Sequence, residues 1–78
     1  MVSEMIKKYE IVIKGYLDQR WQKVFPDFEF NFELRYENEP VTRMIGDVKD
    51  QSALNGFVNH LWKLGIELIS IQELDHEN

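Results

Sequence analysis

Between Phe28 and Tyr36 apolar and polar residues alternate without a fault: Phe28, Phe30, Phe32, Leu34 and Tyr36 are separated by Glu29, Asn31, Glu33 and Arg35. A period of two puts each set on its own face of an extended strand, whereas a helix would scatter both sets around its circumference. The segment therefore predicts a half-buried strand, and the chain must supply further strands and a layer to cover the apolar side. Glu37-Asn38-Glu39-Pro40 follows as a turn, and residues 41–48 return as a second strand with Thr42, Met44, Gly46 and Val48 on one face. Together these segments predict a hairpin.

Each flank carries one strand and one helix. Residues 8–17 alternate with Tyr9, Ile11, Ile13 and Leu17 on one side, and Val12 and Tyr16 interrupt the polar side. Asp18 is placed as an N-cap for a short helix whose apolar face is Leu17, Trp21, Val24 and Phe25, ended by Pro26. Trp21 is thereby expected in the core. Asp50 caps a longer helix in which Leu54, Phe57, Val58, Leu61 and Leu64 recur at helical spacing, and Gly65 is placed to stop it. Residues 66–74 supply a last strand. The order strand, helix, strand, strand, helix, strand is that of the split β-α-β unit, and right-handed crossovers put both helices on one side. The expected fold is thus an α+β ferredoxin-like β-α-β-β-α-β sandwich. Its four-stranded sheet is mostly antiparallel, with the first and third strands central and two helices on one face. One domain is expected over residues 7–75, with 1–6 and 76–78 as flexible termini.

The 78 residues allow a single core, and 44% hydrophobic content is enough to build one. There is no cysteine, so neither disulfides nor a thiolate zinc site can supplement packing. No apolar run approaches the roughly 20 residues that cross a bilayer. The start of the chain lacks the features of a secretory leader, and a cytoplasmic location is the expectation. A formal net charge of -5 repels phosphate backbones and anionic lipid. No nucleic-acid or membrane partner is expected, and Lys7, Lys8 and Lys14 read as solvated lysines around the first strand.

Several blocks resemble a group of short bacterial and archaeal ferredoxin-like proteins without established activity. These are Tyr9-x-Ile11-x-Ile13-x-Gly15-x-Leu17, then Trp21, then Gly46-x-Val48-x-Asp50-Gln51-x-Ala53-Leu54-x-Gly56, Leu61-x-x-Leu64-Gly65 and Leu68-x-Ser70. Where those relatives often have a tight glycine-rich turn between the middle strands, this chain has Glu37-Asn38-Glu39-Pro40. The resemblance implies the fold and implies no catalytic residue.

The residues that carry chemistry do not assemble into a reaction centre in the sequence. Ser3, Ser52 and Ser70 lack a nucleophile's setting, and Ser52 falls in the first turn of the long helix, where a small polar residue is at home. His60 is expected opposite the apolar stripe, and His76 lies in the tail. Glu73, Asp75, His76 and Glu77 cluster without any recognised ligand spacing and read as an acidic tail. Asp50 is explained as a cap, and Asp47 points outward from its strand. No phosphate-cradling glycine loop occurs. No catalytic, cofactor-binding or metal-ligating residue is therefore expected, and no cofactor. Gly56 stands out because mid-helix glycine costs about 1 kcal/mol relative to alanine, which either a close partner or tolerated drift would explain. Trp62 lies at the margin of its stripe, suited to boundary packing or to a contact surface.

The expected role is that of a non-enzymatic interaction or regulatory module, meeting a copy of itself or another protein through its open sheet face or an edge strand. The candidate interface on the open face is Val12, Tyr16, Val41, Arg43 and Ile45, because apolar residues on a helix-free face mark a contact surface. A homodimer is the simplest form. The alternative is an ACT-like small-molecule sensor with ligand held at a dimer interface, which rests on fold analogy.

Overall fold

In the computed structural model, which describes residues 7–18, 20–35 and 37–74, six elements follow in the expected order. They are β1 (Lys7–Lys14), α1 (Arg20–Val24), β2 (Phe28–Arg35), β3 (Glu39–Val48), α2 (Gln51–Lys63) and β4 (Leu68–Leu74). The sheet runs β2-β3-β1-β4, antiparallel at each pairing. This is the strand order of a ferredoxin-like sandwich, with β1 and β3 central. The expectations for Tyr36, the two termini and the Asp75-His76-Glu77 cluster lie outside the described residues.

Register turns the period of two into layers. Phe30, Met44, Ile11 and Ile71 stand side by side across the four strands and share the face covered by the helices. Ile11, Ile13, Met44 and Leu61 are fully enclosed there, joined by Phe25, Phe28, Val48 and Leu54. Each such side chain contributes roughly 1.5–3 kcal/mol of burial. Helix α2 enters this core through Leu54 and Leu61, two turns apart on one stripe. Its start is fixed by the Asp50 carboxylate, which accepts from the Ala53 N–H at 2.8 Å. At its end Gly65 takes φ +76°, letting the N–H of Ile66 reach the Leu61 carbonyl at 3.0 Å.

Helix α1 is only five residues long, bounded by Asp18, which accepts from the Arg20 N–H at 3.0 Å, and by Pro26. So short a helix drives in little of its face. Phe25, just beyond it, is buried, while Trp21 is half-buried at the edge of the core, stacked on Phe25 with ring centroids 6.3 Å apart. The expectation of a core tryptophan is corrected to that extent.

The backbone closes tightly in one place. A Cβ on Gly46 would lie 2.4 Å from the Asp27 carbonyl oxygen and 2.8 Å from the Phe28 ring, so only glycine lets the entry to β2 rest on β3.

Candidate interaction surface

The side of the sheet without helices carries the alternate residues of every strand. Asn31, Arg43, Val12 and Ser70 form its middle row, and Glu29, Ile45, Glu10 and Gln72 the row beside it. Arg43 organises the centre: its Nη1 lies 3.3 Å from a Glu10 oxygen on β1, and its Nη2 meets Glu33 on β2. Its Nε is buried with no hydrogen-bond partner among the described residues. Lys8 pairs with Asp47 at 3.4 Å, and Lys14 with Glu39 at 3.3 Å. Long side chains joined in this way lie over their apolar neighbours. Val12, beside Arg43, and Val41, between Lys14 and Glu33, are each only 2% exposed, and Ile45 is half-buried. The expected apolar cluster exists in register, but charged groups roof it over.

Tyr16 is not part of that face. Strand β1 ends at Lys14, and Gly15 takes φ +100°, which breaks the alternation and turns the next side chain aside. The Tyr16 ring packs on Phe32 at 4.3 Å between centroids, and Phe32 is opposite Thr42, on the side of the helices. The assignment of Tyr16 to the open face is corrected accordingly.

One exposed apolar patch lies instead along β2, the strand at one edge of the sheet. Phe32 is 47% exposed, Leu34 68% and Tyr16 63%. They are bare because α1 is too short to reach the far half of β2. Edge strands are ordinarily blunted by charged side chains, lysine above all, by proline or by a bulge. Strand β2 contains no proline or lysine and pairs with β3 in unbroken register, and its charged residues Glu29, Glu33 and Arg35 alternate with the apolar ones onto the open face. The opposite edge, β4, is irregular where it passes Val12 and Ile13.

A family model for a domain of unknown function, DUF8691, matches residues 8–72. The chain belongs to that family. No curated protein and no solved structure shows a match to it. The match takes in parts of all six elements of this DUF8691 domain. Within the sequence block from Gly46 to Gly56, four residues have structural duties: Gly46 admits the Asp27 backbone, Val48 and Leu54 enter the core, and Asp50 caps α2.

The remaining sequence candidates are dispersed. His60 is exposed but sets its ring edge-on to Phe25, 5.3 Å between centroids, and so is not turned away from the apolar layer as expected. Gly56 has open space where a Cβ would stand. Both line a cleft of about 470 Å³, floored by Phe25, Phe28 and Phe57, at the Phe28 end of β2. Trp62 is 71% exposed, at the other end of α2. Among the described residues, no three His, Asp or Glu side chains converge as metal ligands, and no helix is long and apolar enough to cross a membrane.

Proposed function

We propose that this DUF8691 domain is a non-enzymatic interaction module whose partner is a second copy of itself, met through the four-stranded sheet. The observation that carries the reading is the edge strand β2, free of proline, lysine and bulge, with its Phe32 and Leu34 and the adjoining Tyr16 exposed. A bare edge is a template for a further strand, and an adjoining apolar patch adds burial to the backbone hydrogen bonds. The open face offers less. Docking there would take the Arg43 ion pairs out of water, and such desolvation can outweigh the attraction between the charges.

Light scattering over a wide concentration range tests the reading. The wild type should be a dimer, Leu34→Lys a folded monomer, and Ile45→Glu, on the open face, still a dimer. A wild type that stays monomeric at high concentration would overturn self-association. A dimer broken by Ile45→Glu and indifferent to Leu34→Lys would move the contact to the open face.

A second reading, a small-molecule sensor of ACT-like arrangement, draws support from the aromatic-floored cleft beside Gly56 and His60. Thermal melts with each amino acid added singly should then show a rise in Tm for the wild type that Gly56→Leu, which fills the cleft, abolishes. No shift with any of them would leave the cleft unassigned.

A further inference from the structure

The backbone at the free edge of β2 can be followed atom by atom. The Phe28 N–H donates to the Phe25 carbonyl at 3.3 Å, and the Phe28 carbonyl accepts from Nε2 of Gln22 at 3.0 Å, so neither group belongs to the ladder with β3. On β3, the Pro40 carbonyl accepts from the Gly15 N–H at 2.9 Å and therefore faces β1. Antiparallel ladders alternate residue pairs that exchange hydrogen bonds with pairs that do not. Phe28 opposite Gly46 and Leu34 opposite Pro40 belong to the second kind, and by alternation so do Phe30 opposite Met44 and Phe32 opposite Thr42. The N–H and C=O groups of Phe30, Phe32 and Leu34 thus point out of the sheet edge. Gln22 closes that edge at Phe28, and the strand ends at Arg35. The open segment is centred on Phe32.

We infer that a second copy adds its own β2 antiparallel to this edge with Phe32 on the two-fold axis, an assignment that rests on the self-association proposed above. In this register the outward backbone groups of Phe30, Phe32 and Leu34 meet those of the partner's Leu34, the partner's Phe32 and the partner's Phe30. Their side chains lie on the helix side, where Phe32 is already backed by Tyr16. On the opposite side Glu29 faces the partner's Arg35, and Asn31 faces the partner's Glu33. Each of these contacts occurs twice by symmetry. Facing residues of opposite charge favour a strand pair, and like charges oppose it.

Other registers fit worse. Faces match only if the centre stays on a residue, because a slip of one between facing strands reverses every side chain. Centring on Asn31 sets Glu29 against the partner's Glu33 twice. Centring on Glu33 brings the two Glu33 carboxylates together. Centring on Leu34 keeps Glu33 beside the partner's Arg35 but leaves only a three-residue overlap within Phe28–Arg35. The Phe32 register unites a seven-residue overlap, Glu29 to Arg35, with opposite charges, and the resulting dimer has one continuous eight-stranded sheet.

Charge exchange at two exposed positions tests the register without touching the core. Glu29→Arg and Arg35→Glu, each alone, should raise the dimer dissociation constant by roughly tenfold, since each places like charges opposite one another at two symmetric points. The double variant Glu29→Arg/Arg35→Glu should recover the wild-type value. Circular dichroism of all three should be unchanged. A wild-type monomer would overturn both the register and the self-association beneath it. A wild-type dimer whose dissociation constant ignores both single changes, or whose double variant shows no recovery, would overturn the register alone.

Discussion

The hydroxyl of Thr42 donates to the carbonyl of Gly15 at 2.8 Å and ties the kink after β1 to the middle of β3. The same oxygen accepts from the Leu17 N–H at 3.1 Å. Thr42 is the one buried polar residue among the described residues, and its single hydroxyl satisfies two backbone groups of the turn between β1 and α1.

Replacing Thr42 with valine keeps the shape and removes both bonds. With the Gly15 carbonyl and Leu17 N–H left without this partner, stability should fall by about 1–3 kcal/mol. In urea this appears as a lower midpoint at constant m-value. Thr42→Ser should retain most of the stability. A midpoint that does not move in Thr42→Val would show that the two bonds contribute nothing net.

Alanine should act with opposite sign at two glycines. Gly46→Ala forces a Cβ against the Asp27 backbone and the Phe28 ring, which should cost on the order of 1–3 kcal/mol. Gly56 meets no atom within 4 Å, so Gly56→Ala should stabilise α2 by about 0.5–1 kcal/mol. Thermal melts of the two variants, displaced in opposite directions from the wild type, are the expected result. Displacement in the same direction would contradict the packing at one of the two sites.

Hydrogen bonds from the Arg20 guanidinium, then from its backbone N–H, hold the Asp18 carboxyl below its ordinary pKa. The folded state therefore releases this proton more readily than the unfolded chain. The resulting stabilisation is present above the unfolded pKa and is lost as pH falls through the lower folded value. A carboxyl carbon titration by NMR should place the Asp18 midpoint below that of a model aspartate. In Arg20→Ala it should return upward. An Asp18 midpoint unaffected by that change would rule out the arginine as the cause.

What could be read from the chain alone was whatever depends on period. The faultless alternation from Phe28 onward, the Asp50 cap and the stop at Gly65 depend on neighbours close in sequence, and all three stand in the fold. Placements that depend on residues across the sheet were not legible. Val12 and Val41 read as exposed because their strands alternate. Only register brings Arg43, Lys14 and Glu33 alongside to roof them. Tyr16 was misplaced by one dihedral, since nothing in the string shows that Gly15 adopts φ +100°. The free edge of β2 was implicit in the predicted strand order, but the Gln22 side chain that closes it at Phe28 was not.

The mismatch between the layers also has a kinetic side. Five residues of α1 span about 7.5 Å and eight residues of β2 about 27 Å. The hairpin of β2 and β3 therefore overhangs the helices at its Leu34 end. In the monomer that end should open and close without unfolding the remainder, exchanging its amide hydrogens through local fluctuations, while β1 and the Met44 stretch of β3 exchange only through global opening. The monomer should thus have a slow half and a fast half, and pairing of the β2 edges would slow the fast one.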